Sequence, residues 1–134
     1  MSFRPDAMRG AQAGGPGAID FRLMRRSIVS EFRRGRLAQH DVCDAHPELV
    51  RAARHVGRPA QEQCPICEDA ELVLVTYVFG ARLPAHGRCI TSQAELAKLA
   101  RTTPELHCYV VEVCPGCRWN HLARTYLLDR ALAR

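Results

Sequence analysis

The sequence predicts an α+β fold: a zinc ribbon, that is, a small antiparallel sheet carrying two Cys-x-x-Cys knuckles, preceded by an α-helical N-terminal arm. Three observations lead there. The motifs Cys64-Pro65-Ile66-Cys67 and Cys114-Pro115-Gly116-Cys117 stand 46 residues apart. The runs Leu72 to Phe79 and His107 to Val113 are rich in β-branched and aromatic residues, as strands are. Ahead of both motifs, apolar residues recur at helical spacing.

At 134 residues and 15.0 kDa the chain has room for one domain, or a small domain with a helical arm, and for no second large core. Residues 1–17 contain little that anchors a core and read as a disordered tail. Residues 18–60 read as a helical region. There, Ile19 to Arg34 carries Phe21, Met24, Ile28 and Phe32 three and four apart, with Gly35 as a stop, while Arg22, Arg26 and Arg33 fall off that stripe toward solvent or a partner. Pro47 to Val56 forms a second helix, opened by a proline at its first position and closed by Gly57. Its apolar side is Leu49, Val50, Ala53 and Val56; Arg51, Arg54, His55 and Arg58 follow one exposed stripe.

Residues 61–134 read as the ribbon, with a helical insertion at about 81–105. Arg58 to Gln63 is a polar linker before the first knuckle. After the strand from Leu72, Thr91 or Ser92 caps a helix running to about Arg101, and the second strand leads into the second knuckle. Trp119 to Leu128 is a third strand or a terminal helix.

Zinc favours four soft ligands in a tetrahedron, and each Cys-x-x-Cys turn brings two thiolates to one ion, so Cys64, Cys67, Cys114 and Cys117 are the expected ligands. A redox role for Cys-Pro-x-Cys needs the first thiol at a helix N-terminus, and here strands flank the motifs. A site closed by four thiolates leaves no coordination position for substrate; it stabilises a fold. Cys43 and His46 have Cys-x-x-His spacing, a candidate half of a second metal site whose other half is not evident. Cys89 and Cys108 read as small hydrophobes or bystanders, and His121 as a packing histidine or a partner to the metal site. Asp41 and Asp44 read as turn or cap residues. Neither a catalytic triad, a phosphate-binding glycine loop nor paired catalytic carboxylates can be argued, so an enzyme acting on a small-molecule substrate is not expected.

Seven cysteines without a signal peptide or membrane span point to a reducing, cytoplasmic setting. The net charge of +5 lies wholly in residues 1–60, which hold eleven Arg against six acidic residues. A basic half beside a metal module suits phosphate backbones. Eighteen of the nineteen basic residues are Arg, however, as coding bias in a GC-rich genome also produces.

Val42-Cys43-Asp44-Ala45-His46-Pro47-Glu48-Leu49 through Arg51-Ala52-Ala53, Cys64 to Cys67, Val75-Thr76-Tyr77-Val78-Phe79-Gly80, and Val111-Glu112-Val113-Cys114 through Trp119-Asn120-His121-Leu122 together resemble an uncharacterised actinobacterial family with a zinc ribbon. The likeness spans roughly residues 20 to 128. It implies a fold and a bacterial cytoplasmic setting without a reaction. The expected function is a non-enzymatic zinc module docking on RNA polymerase, a ribosome or nucleic acid through Arg51, Arg54, Arg58, Trp119 and His121; the plainer readings are a solvated helix side for the arginines and a core position covering the zinc site for Trp119. Its rivals are a protein adaptor, whose first helix packs its apolar side on a partner, and a thiol-based redox switch.

Overall fold

In the computed structural model, which describes residues 18–129, the elements run β1 (Ile19–Asp20), α1 (Arg22–Arg33), α2 (Gln39–Val42), α3 (Pro47–Val56), β2 (Arg58–Gln63), β3 (Glu71–Phe79), β4 (Arg88–Ile90), α4 (Gln93–Thr102), β5 (Glu105–Val113) and β6 (Asn120–Asp129). The expected tail at residues 1–17 lies outside the described residues. All strand pairs are antiparallel, in the order β1-β6-β5-β3-β2, with β4 also paired to β3.

Alternation along the strands sets two faces. Leu72, Val78, Leu106 and Cys108 lie on one, and Val75, Tyr77, Val111 and Val113 on the other, all buried. Because both faces of β3 and β5 are covered, their sequences read as nearly continuous apolar runs. Leu49, Val50 and Ala53 of α3 pack against Val75, Tyr77, Val111 and Val113. On the opposite face, Val29 of α1 joins Leu72 and Trp119 at the knuckle end, with Ile28 and Phe32 packed beside it. Leu96 of α4 covers Val78, Leu106 and Cys108 at the far end. The expected N-terminal arm is therefore not separate: the apolar stripes of α1 and α3 bury against the sheet itself, since an amphipathic helix must bury its apolar side somewhere.

Local chemistry sets most of the boundaries. His46 Nδ1 accepts the Glu48 N–H at 3.1 Å and Pro47 opens α3. Gly57 ends it where an added Cβ would stand 2.4 Å from the Ala53 carbonyl oxygen, so the chain can leave the helix there only without a side chain. Ser92, of the two expected caps, accepts the Glu95 N–H at 3.1 Å and starts α4. Asp41 takes the Ala38 N–H at 2.8 Å in the cap role expected of it, whereas Asp44 takes the Asn120 side-chain amide at 3.1 Å, a long-range contact to β6 instead of a local turn or cap.

Two expectations change, and one open alternative is decided. The first helix begins at Arg22, because Ile19 and Asp20 pair with Thr125 and Arg124 as β1. Arg58 to Gln63 is an edge strand instead of a linker; its polar composition reflects a solvent-facing edge, and its register slips between Pro59 and Gln63, where Gln61 has φ 59°. The segment after the second knuckle is strand β6, with a register shift opposite Val110 and Val111.

Candidate metal centre

The two knuckles are built alike. In the first, the Ile66 N–H donates to Cys64 Sγ at 3.4 Å, the Glu68 N–H donates to the Cys64 carbonyl at 3.1 Å, and Glu68 adopts φ 56°. In the second, the Cys117 N–H donates to Cys114 Sγ at 3.3 Å, the Arg118 N–H donates to the Cys114 carbonyl at 3.0 Å, and Arg118 adopts φ 75°. Each turn thus aims both sulfurs the same way and points backbone N–H groups at thiolate charge. Strands β3 and β5 pair in register up to Val73 and Val113, which brings the two turns together at one end of the sheet.

Among the described residues, Cys64, Cys67, Cys114 and Cys117 form a group whose sulfurs all lie within 4.8 Å of one another. Cys64 to Cys117 and Cys67 to Cys114 are each 3.7 Å apart. Sulfurs at the corners of a tetrahedron around an ion with metal–sulfur distances of about 2.3 Å stand ~3.8 Å apart, so the donor set fits a tetrahedral metal. Burial pushes the Cys64 thiol up to about 11. Burial also acts to raise Cys67, but backbone N–H groups of Ala70 and Asp69 draw it down to about 7. Cys117 is raised, first by burial and then by the neighbouring sulfurs. Cys64 and Cys117 keep their protons unless a cation among the sulfurs makes the thiolate the favoured form.

The other residues singled out in the sequence separate. Among the described residues Cys43 and His46 join no second metal-ligand group: Cys43 Sγ donates to Cys117 Sγ at 3.4 Å, placing it beside the same cluster, and His46 caps α3. Cys108 is fully buried in β5. Trp119 and His121 are each 0% exposed and offer no side-chain surface to a partner. Trp119 Nε1 donates to Glu112 at 2.7 Å, and the Trp119 carbonyl accepts the Cys114 N–H at 2.8 Å, so the indole packs beneath the second knuckle. The arginine stripe is broken: Arg51 and Arg54 lie exposed on α3, whereas Arg58 lies on β2 opposite Leu74, on the sheet face away from α3. Arg54 in addition donates to the Pro115 carbonyl at 3.2 Å.

A different basic feature lies beside the first knuckle. Arg22, Arg25, Arg26, Arg33 and Arg34 of α1 and its end line a groove of about 680 Å³, whose other wall includes Glu62, Cys64, Pro65 and Glu68. Arg25 is held by Glu112 at 2.8 Å and Glu62 at 3.4 Å, and Arg22 by Asp20 at 2.9 Å. Arg26, Arg33 and Arg34 are exposed, with no ion pair among the described residues. The helical pattern already turned Arg22, Arg26 and Arg33 away from the apolar stripe. Their position beside a knuckle is a tertiary fact that periodicity does not carry.

This architecture defines a class: an α+β protein whose antiparallel sheet is gathered at one end by a four-cysteine cluster suited to a metal and compatible with a zinc ribbon. Residues 15–133 match a family of unknown function (DUF5318), and the chain belongs to that family. It is 43% identical over 113 residues to the uncharacterised protein Rv0049 of Mycobacterium tuberculosis and equally to the uncharacterised protein Mb0050 of Mycobacterium bovis, covering 84% of this chain and 82% of each relative. The resemblance to an uncharacterised actinobacterial family is thereby established. No solved structure matches. Among the described residues, no helix is long and apolar enough to cross a membrane.

Proposed function

We propose that this protein is a non-enzymatic zinc-binding module that docks on nucleic acid, acting in the cytoplasm with the transcription or translation machinery. The observation that carries the proposal is the arginine-lined groove set against a cysteine knuckle. Zinc is the metal this donor set suits, since four thiolates at tetrahedral spacing fill every coordination position and leave none for chemistry. Its task is structural, fixing the knuckle that forms one wall of the groove.

Nucleic-acid docking rests on Arg26, Arg33 and Arg34. Unpaired guanidiniums on one helix face, with Arg22 and Arg25 beside them, suit bidentate contacts to phosphate oxygens. From Arg22 to Arg33 the helix advances about 16 Å, the rise of roughly five phosphates along one B-form strand. RNA polymerase and the ribosome, whose machinery makes wide use of zinc ribbons, are the assemblies this reading favours, by analogy of fold.

The adaptor reading in its simplest form, with the apolar side of α1 offered to a partner, meets the packing of Val29, Ile28 and Phe32 against the chain's own core. The test is to quantify zinc in the purified protein and titrate it with fluorescent RNA and DNA at several salt concentrations. About one zinc per chain and an affinity that falls steeply with salt support the reading. Less than half an equivalent of zinc, or no nucleic-acid binding at low salt together with nuclease-resistant capture of one protein partner, overturns it.

A further inference from the structure

We infer that Cys43 and Cys117 form an oxidative modification site: a hydroperoxide converts this pair to a disulfide and withdraws Cys117 from the metal cluster. The inference rests on the metal reading of the four knuckle cysteines and goes beyond it, because Cys43 is the one thiol placed against the cluster and left outside the tetrahedral set.

The contact is built into the fold. Cys43 Sγ lies 3.4 Å from Cys117 Sγ, closer than the 3.7 Å separations between knuckle sulfurs. The segment carrying it is fastened to the second knuckle at several points. The Ala45 N–H donates to the Arg118 carbonyl at 3.0 Å, the Arg118 guanidinium donates back to the Ala45 carbonyl, and Asn120 donates to Asp44 at 3.1 Å. Val42 is 1% exposed and anchors the other side. A disulfide needs about 2.05 Å between sulfurs, so a shift of little more than 1 Å closes it. Cys43, Cys117 and Cys67 are half-buried, whereas Cys64 and Cys114 are buried, so both members of the pair are within reach of a small oxidant and the 3.4 Å contact selects Cys43 as the partner of Cys117.

The chemistry balances without further reactants. The Cys117 thiolate attacks one oxygen of hydrogen peroxide, forming a sulfenic acid and releasing hydroxide. The Cys43 thiol then displaces the sulfenic oxygen as water, forming the sulfur–sulfur bond. Two sulfurs are oxidised by one electron each, and one peroxide is reduced to water and hydroxide. A disulfide between two knuckle cysteines would remove two ligands together; the Cys43–Cys117 bond removes one and leaves three thiolates on the knuckles. The result is a loosened site that a dithiol reductant restores.

The experiment uses full-length, zinc-loaded protein treated with about one equivalent of hydrogen peroxide. Disulfides are mapped by peptide mass spectrometry without reduction, and zinc release is followed with a chromogenic chelator. The expected result is a Cys43–Cys117 link, zinc release at least tenfold faster than without peroxide, and recovery with dithiothreitol and zinc. C43S should release zinc at least fivefold more slowly under peroxide, while C89S, which changes a thiol outside the cluster, should behave as the parent does. A dominant disulfide within either knuckle, or C43S releasing zinc at the parental rate, overturns the inference. If the parent carries no zinc, the metal reading fails by itself and the mapped disulfide still decides the fate of the thiol pair.

Discussion

The two knuckles share a backbone and differ in everything around it. Both place an N–H on the first sulfur of the turn and both end on a residue with positive φ. The first borders the arginine groove through Cys64 and Pro65, although Cys64 itself is buried. The second is braced from within, while its tip at Gly116 and Arg118 stays exposed: Trp119 is buried behind it, Glu112 holds the indole, and the Cys43–Ala45 segment grips it from the side. The same local turn thus borders a groove in one place and seats a buried tryptophan in the other. Tertiary surroundings, more than the motif, decide what each can do.

The harshest way to break the comparison removes a sulfur. C67S and C114S should both abolish stoichiometric metal and unfold the chain. Metal binding to such sites is worth about 10–16 kcal/mol, comparable to or above the 5–15 kcal/mol stability of a whole domain. Metal analysis and circular dichroism read the result; a folded, metal-free C114S would show that the cluster is not structural. Acid should act on both knuckles together. Cys64 sits at about 11 without metal, and Cys117 is raised too, so metal entry displaces protons from both near neutral pH. With at least these two protons displaced, apparent zinc affinity should fall at least about a hundredfold for each unit by which pH is lowered; a pH-independent affinity would contradict the proton count.

Trp119→Ala tests the second knuckle alone. Loss of a fully buried indole, with Glu112 left short of a donor, should cost about 3–5 kcal/mol and lower Tm by at least about 12 °C. The groove beside the first knuckle is tested by changing Arg26, Arg33 and Arg34 together to Ala. Melting should hardly move, but the slope of log affinity for nucleic acid against log salt should become shallower by about three, equally for all sequences. The triple change at Arg51, Arg54 and Arg58, which no longer share a face, should have the smaller effect. Equal slopes for the two triples would remove the groove from consideration.

The finest test exploits the shared positive φ. Glu68→Gly relieves a left-handed conformation on an exposed residue and should stabilise by about 0.5–1 kcal/mol. Arg118→Gly relieves the same strain but gives up the charged hydrogen bond to the Ala45 carbonyl, worth about 1.5–3 kcal/mol, and should destabilise. Thermal melts of the two variants with zinc present should therefore move in opposite directions.

What was legible in the sequence follows the range of the interactions. The knuckles, the start of α3 at Pro47, the cap at Ser92, and the buried strands are settled within a few residues, and spacing or composition reveals them; the His46 cap is not among them, its spacing from Cys43 suggesting a metal ligand instead. Arg58 to Gln63 misleads because a solvent-facing edge strand looks like a linker until its neighbour is known. Arg58 joins a helical stripe on paper, yet Gly57 sends the chain into β2 and onto the other face. Cys43 suggested half of a separate site through its spacing from His46. Its true neighbour is set by contacts between Ala45 and Arg118, 73 residues apart in sequence, which no local pattern encodes.

One further consequence follows from the buried Glu112 carboxylate, which accepts from Arg25 Nε on one side and from the indole of Trp119 on the other. Arg25 lines the groove, and Trp119 is the single tryptophan of the chain. Anything that pulls on the guanidinium alters the electrostatic field at the indole. The single tryptophan is thereby placed as an intrinsic optical probe of the groove: its emission wavelength is expected to shift when a ligand draws Arg25 away from Glu112, with no attached dye needed.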